Sequence, residues 1–176
     1  MTPSKIQEIK DIIRDIPDFP KKGIIFKDIT PLLKHPDAFR FAVDALGEAL
    51  AKKKVDYLVG IESRGFIFSP ILAYKLKVGF VPVRKKGKLP YRTEEISYEL
   101  EYGKATLEIH QDAFPKGARV AIVDDLLATG GTALAAAQLV EKLGGRVEAI
   151  AFLVELTFLK GREKLARYNV FSLVQY

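Results

Sequence analysis

The chain has 176 residues, 48% of them hydrophobic and 28% charged, a balance that fits one globular domain with a sizeable core. It contains no cysteine, which excludes disulfides and thiolate metal sites. A formal net charge of +6 leaves two readings open, a solubilising surface or an anionic partner such as nucleic acid or a phosphorylated metabolite. The opening stretch, residues 1–16, is charged throughout and lacks the apolar core and cleavage site of a signal peptide. No apolar run approaches the roughly 18 residues of a membrane span, so a cytoplasmic enzyme is the expectation.

In chain order, Ser4 to Arg14 reads as a helix with Ile6, Ile9, Ile12 and Ile13 on one face. Residues 16–20 are an extended or turn segment, because Pro17 and Pro20 keep their predecessors out of the α region. Gly23 to Ile29 is β-like. Asp37 to Lys53 is a second helix, with Phe39, Val43, Leu46 and Leu50 at helical spacing. Lys52–Lys54 suit the negative end of its dipole. Tyr57 to Ile61 is a buried strand and Phe66 to Lys75 a helix that Pro70 must start or kink. Phe80 to Val83 is a further strand, followed by a basic, glycine-containing loop, Arg84-Lys85-Lys86-Gly87-Lys88. Two β-like runs from Ser97 to His110 flank Tyr102-Gly103 as a hairpin. Arg119 to Val123 is an apolar strand, and a helix follows from Thr132 to Leu143, ended by Gly144-Gly145. Val147 to Val154 is a strand, Gly161 to Tyr168 a short helix, and Val170 to Val174 the last strand. Strands that are apolar throughout and alternate with helices predict an α/β fold, a mostly parallel sheet covered on both faces. Ligands of such sheets bind at the carboxyl ends of the strands.

The stretch 119–132, RVAIVDDLLATGGT, carries the clearest chemistry. An apolar strand runs into Asp124 and Asp125, then into a small-residue turn, Ala128-Thr129-Gly130-Gly131-Thr132, and a helix start. Backbone N–H groups in such a turn form an anion nest, and the helix N-terminus adds positive potential. Thr129 and Thr132 add hydroxyl donors. Adjacent aspartates at a strand end point different ways, so at least one can accept hydrogen bonds from sugar hydroxyls. Either half alone would equally suit a capped turn; together they point to a phosphorylated sugar. No GxxxxGK[ST] is present, nor a GxGxxG after the first strand, which argues against P-loop and dinucleotide-binding folds. Glu62-Ser63-Arg64-Gly65 follows the strand 57–61 and offers N–H groups, a hydroxyl and a guanidinium fork suited to two phosphate oxygens at once. A salt bridge with a helix cap is the alternative there. His35 and His110 stand in no ligand-like spacing.

Residues 119–132 resemble the phosphoribosyl-pyrophosphate loop of the type I phosphoribosyltransferases. Further segments resemble the adenine-specific members of that family: Ile16–Pro20, Gly23–Ile29, Glu62–Phe66, Arg84–Pro90, Leu100–Lys104 and Val154–Leu156. The ordered set covers essentially the whole chain. The resemblance implies one phosphoribosyltransferase domain over residues 1–176, with a small N-terminal hood and a mobile lid loop. It implies transfer of a phosphoribosyl group from phosphoribosyl pyrophosphate to adenine, giving AMP and pyrophosphate, with Mg²⁺ carried mainly by substrate oxygens and no dedicated protein metal site.

Residue by residue, it implies that Asp124, Asp125 and Ala128–Thr132 (Ala128, Thr129, Gly130, Gly131, Thr132) hold ribose and its 5-phosphate. Ser63, Arg64, Arg84, Lys85 and Lys88 would hold pyrophosphate. Glu101, with Tyr102 beside it on the lid, would be catalytic. Adenine would stack on Phe26, face Leu159 and be read through backbone groups near Ile25 and Lys27. Lys27 stands where arginine is frequent, so side-chain reading of the base is in question. The resemblance further suggests a homodimer, and neither a membrane nor nucleic acid as partner. Within the same fold, a transferase for another purine and a phosphoribosyl-pyrophosphate-sensing regulator are the rivals; no helix-turn-helix signature supports the second.

Overall fold

The computed structural model describes residues 3–19, 21–100 and 103–176, and the chain divides into two compact units, Met1–Ala45 and Leu46–Tyr176. The first unit holds helix α1 (Pro3–Ile12), strands β1 (Arg14–Pro17) and β2 (Ile25–Asp28), the short helix α2 (Thr30–Leu33) and the start of α3 (Pro36–Ala51). Strands β1 and β2 pair antiparallel, with Asp15 opposite Lys27 and Ile16 opposite Phe26. Gly23 (φ +87°) closes the connection by donating its N–H to Asp18 Oδ1 at 2.6 Å. Strand β1 takes over Arg14, which helical periodicity had given to the first helix. Helix α2 carries no periodic signal; Asp28 starts it by accepting the Thr30 N–H at 2.9 Å.

The second unit is built on a seven-stranded sheet of order β5-β6-β4-β3-β7-β8-β9. Its strands are β3 (Tyr57–Ile61), β4 (Gly79–Lys85), β5 (Thr93–Leu100), β6 (Gly103–His110), β7 (Arg119–Leu127), β8 (Arg146–Glu155) and β9 (Val170–Gln175). Strands β4, β3, β7, β8 and β9 run parallel, and the β5–β6 hairpin adds an antiparallel edge. Val59, Ile61, Val120 and Ile122 share a buried cluster with Ala133, Ala136 and Val140 of α5 (Gly131–Lys142). The alternate strand residues turn to the other face, where Gly60 lies against Ser69 of α4 (Gly65–Leu76). The expected two-sided cover of a mostly parallel sheet is therefore present.

Further boundaries depart from the sequence reading, and the hairpin begins at Thr93 rather than at Ser97. Strand β7 runs on to Leu127, because Leu126 and Leu127 pair with Val154 and Glu155 of β8, so both aspartates lie on the strand rather than past it. Arg84 and Lys85 belong to β4, paired with Glu108 and Leu107 of β6, and only the residues after them turn. The last helix shrinks to α6 (Gly161–Lys164), preceded by a 3-10 turn at Thr157–Leu159. Pro70 sits inside α4; Ser69 Oγ donates to Gly65 O at 2.6 Å just ahead of it.

Connections from β3 lead by α4 to β4 on one side, and from β7 by α5 to β8 on the other. The topological switch point is thus the β3–β7 seam, and the loops leaving the carboxyl ends of these two strands face one crevice.

Candidate active site

Val120–Val123 are fully buried, as a central strand covered on both faces requires. Extending the strand by two carboxylates carries a desolvation cost. Asp125 is only 3% exposed, its N–H donates to Asp124 Oδ1 at 2.9 Å, and its Oδ2 lies 2.9 Å from Arg64 Nε. Burial, and then the charge of Asp125, hold the Asp124 carboxyl well above the usual carboxylate range. Burial also raises Asp125, against the opposing pull of the Arg64 guanidinium. The pair therefore shares a high proton affinity that an ordinary strand-end turn would not produce.

After β7 the chain turns through Ala128-Thr129-Gly130. Gly130 takes φ +80°, and α5 begins at Gly131 with no side chain capping its first N–H groups. The N-terminus of a twelve-residue helix thus opens towards the aspartates, a natural seat for an anion. Thr132 Oγ1 lies 3.2 Å from Tyr98 Oη of β5, so the hairpin edge reaches the same loop.

Leaving β3, the Glu62–Ser63 peptide is cis and Gly65 opens α4. A Cβ at Gly65 would stand 2.8 Å from Val123 O and 3.0 Å from Asp124 Oδ1, so glycine lets the start of α4 approach β7 this closely. Glu62 gathers the cations of the next strand. Its carboxylate accepts Arg84 Nε at 3.2 Å and Nη2 at 3.1 Å, Lys88 Nζ at 2.7 Å and the Lys85 N–H at 3.2 Å. The Arg84 hydrogen bond, outweighing burial, brings the Glu62 pKa down to about 2. Buried Glu108 plays a similar part beneath the turn: it accepts the Lys88 and Leu89 N–H groups, both at 2.8 Å. These backbone bonds overcome burial and keep its pKa low.

A cavity of about 900 Å³ occupies the crevice. Of the residues singled out by sequence, it is lined by Ser63, Arg64, Lys85, Lys88, Asp124, Asp125 and all of Ala128–Thr132. Arg84 does not line it; its guanidinium is turned onto Glu62 and Lys88 O. Leu159 also lies outside the lining, half-buried in the 3-10 turn. Ile25, Phe26 and Lys27 belong to β2 of the first unit; Ile25 is exposed, Phe26 packs edge-on against Phe19 at 5.3 Å, and Lys27 Nζ reaches Asp15 Oδ1 at 2.5 Å. Glu101 and Tyr102 lie outside the described residues. Glu62, which the sequence placed in its motif without a role of its own, and Tyr98, which it passed over, also line the cavity. An acid between an apolar strand and a guanidinium was legible as a partner for nearby cations; Tyr98 carries no local signal, since it reaches the site only through packing of the hairpin. Among the described residues no cluster of three or more acidic or histidine side chains forms a metal cage.

Comparison with known proteins meets this geometry. The sequence model of the phosphoribosyl transferase domain family matches residues 30–174. The adenine phosphoribosyltransferase of Thermoanaerobacter sp. (strain X514) is 60% identical over 171 residues, 97% of this chain and 99% of that one. The chain belongs to the adenine phosphoribosyltransferase family. The crystal structure of the family member from Thermoanaerobacter pseudethanolicus superposes with a TM-score of 0.94 at 59% identity, covering 97% of this chain and 99% of that one. The adenine phosphoribosyltransferase of Saccharomyces cerevisiae was solved with adenine and an imino-altritol bisphosphate; it gives a TM-score of 0.92 at 48% identity over 98% of this chain and all of that one. The type I phosphoribosyltransferase fold is accordingly this chain's fold, and the crevice at its β3–β7 seam is the candidate active site of an adenine phosphoribosyltransferase family member.

Proposed function

We propose that this chain transfers the 5-phosphoribosyl group of phosphoribosyl pyrophosphate to adenine, releasing AMP and pyrophosphate, a purine salvage reaction. The observation that carries the reading is the convergence on one cavity of paired carboxylates, an open helix N-terminus behind a small-residue turn, and basic residues. The turn Ala128–Thr132 takes the 5-phosphate and Asp124 with Asp125 takes the ribose hydroxyls. Ser63, Arg64, Lys85 and Lys88 receive the pyrophosphate, and Arg84 serves them through Glu62.

In the reaction the bond from the ribosyl anomeric carbon to a pyrophosphate oxygen breaks, the electron pair leaves with pyrophosphate, a base nitrogen closes on the carbon, and the proton that nitrogen carried leaves to a basic group or to water. An oxocarbenium-like transition state puts growing negative charge among the cations and positive charge beside the aspartates, which is where fixed charge stabilises it most. Mg²⁺ enters as part of the substrate, held by phosphoribosyl pyrophosphate oxygens and water. The resemblance assigns Glu101, supported by Tyr102, to proton transfer or cation stabilisation during base attack, a role worth ~10²–10⁴-fold in rate. It assigns base contacts to Ile25, Phe26, Lys27 and Leu159. Because the Lys27 ammonium is engaged by Asp15, backbone atoms of β2 are the better candidates for reading the base.

We extend the proposal to a single functional domain working as a cytoplasmic homodimer. Phosphorylated sugars do not cross membranes unaided, and among the described residues no helix is long and apolar enough to span one. Support for a second copy comes from α4, which is apolar around its circumference yet leaves Ile71 and Tyr74 exposed, with Phe80 of β4 exposed as well.

The test is a purine panel with Mg²⁺ and phosphoribosyl pyrophosphate. Adenine is consumed at least about 100-fold faster, by kcat/KM, than hypoxanthine, guanine or xanthine; missing hydrogen-bond complementarity accounts for discrimination of that size or more. Equal rates across the panel would remove the adenine assignment.

A further inference from the structure

Behind the phosphate cradle two glycines meet back to back. A Cβ on Gly130 would run into Gly161 O, and a Cβ on Gly161 would strike Ala128 O and stand 2.9 Å from Gly130 N. The turn at 128–130 therefore rests directly, backbone on backbone, against the first residue of α6. Gly161 is buried and does not line the cavity.

Helix α6 is only four residues long and does not stand by itself. Arg162 fixes it. Its Nε donates to Glu155 Oε1 at 2.9 Å, its Nη2 to Glu155 Oε2, and its Nη1 to Val170 O at 2.9 Å, tying α6 to β8 and β9. Glu155 is 4% exposed and also accepts Gln175 Nε2 at 3.2 Å. The Leu156 N–H donates to Leu127 O at 2.9 Å, securing the same segment to the end of β7 immediately before the cradle.

We propose that Gly161, held in place by the Glu155–Arg162 pair, is a positioning residue for the 5-phosphate cradle: its bare backbone is the backstop that sets where the N–H groups of Thr129, Gly130 and Gly131 point. This rests on the reading of Ala128–Thr132 as the phosphate seat. Anion binding by a nest depends on N–H direction, and a displacement near 1 Å costs about 100-fold in a well-oriented site. Adding one methyl group at Gly161 forces a shift at the cradle, since all three atoms it meets are backbone.

The experiment titrates ribose 5-phosphate into wild type and Gly161→Ala by calorimetry, and measures KM for phosphoribosyl pyrophosphate and for adenine. The variant raises the ribose 5-phosphate Kd and the phosphoribosyl pyrophosphate KM together, by at least about tenfold, with the adenine KM within about threefold. Leu72→Ala, a buried change on α4, lowers Tm without that Kd shift, which separates positioning from general loss of stability. If Gly161→Ala does not fold, Arg162→Gln adds no atom near the cradle and raises the same Kd by about threefold or more, and Arg162→Lys recovers part of the loss. Wild-type Kd in Gly161→Ala, or in Arg162→Gln where that variant stands in, overturns the positioning role alone. A wild-type protein that does not bind ribose 5-phosphate overturns the cradle reading and the positioning role with it.

Discussion

Asp124 and Asp125 work against the stability of the fold that holds them. A carboxyl whose folded-state pKa is raised is protonated more readily in the native state, so native stability falls as pH rises from the unfolded pKa towards the folded one. Asp124 is raised well above its ordinary value by burial and by its neighbour's charge. Asp124→Asn is therefore expected to raise Tm at pH 7 by a few degrees, where each kcal/mol is worth roughly 2–4 °C for a chain of this size. The gain disappears near pH 3, where the wild-type carboxyl is protonated in both states. The same variant lowers kcat/KM for phosphoribosyl pyrophosphate by ~10–100-fold, because an amide cannot stabilise a ribosyl cation by charge. Melting curves at the two pH values and steady-state kinetics check both halves; a variant less stable at pH 7 would contradict the electrostatic account. These two residues were legible in sequence because carboxylates after an apolar strand demand a reason. Lys27 was legible only as an oddity. Its partner, Asp15, is 12 residues earlier and faces it through strand register, so neither composition nor spacing announces the pair.

At the scale of elements, local chemistry fixes ends well where a residue has a special conformation. Gly144 takes φ +82°, its N–H bonds Glu141 O at 2.9 Å, and the Gly145 N–H bonds Val140 O at 2.9 Å, closing α5 as the glycine pair predicts. Gly144→Ala is expected to cost about 1 kcal/mol, from the left-handed backbone and from Lys116 Cγ 3.1 Å from the new methyl, with activity retained at 25 °C. Chemical denaturation measures it; an unchanged midpoint would mean that the cap contributes nothing. Where ends depend on a neighbouring strand, sequence falls short. Strand β7 reaches Leu127 because β8 offers Val154 and Glu155 to pair with, and Arg84 joins β4 because β6 lies beside it. Helix α6 shows the reverse case. Residues 161–168 have helical composition, yet the ordered helix ends at Lys164, with Arg162 committed to Glu155 and Val170 O.

For the whole molecule, the +6 charge is not evenly spent. Lys85, Lys86 and Lys88 gather at the cavity, where Glu62 and Glu108 organise the turn that carries them. That pattern suits an anionic metabolite better than the extended basic stripe of a nucleic-acid binder. The apolar face is the second large-scale feature. Tyr74 is 89% exposed on a mostly apolar helix, and Ile71 lies one turn before it. Ile71→Glu combined with Tyr74→Glu is expected to convert the proposed dimer into a monomer in sedimentation velocity; a variant that stays dimeric would place the second copy elsewhere, and a monomeric wild type would remove the dimer proposal.

By itself the sequence determined the fold class, because strand period and turn residues are local grammar, and the family, because its ordered segments resemble those of the phosphoribosyltransferases; it also marked the acid pair and the small-residue turn ahead of a helix start. The tertiary structure alone decided which of those groups share a cavity. Arg84 is paired with a carboxylate, Glu62, brought to it by parallel strands, and Gly161 reaches Gly130 only because β7 and β8 run side by side. Such contacts join residues about 20 to 30 positions apart through strand order and register, which act across the sheet and leave no mark on either segment.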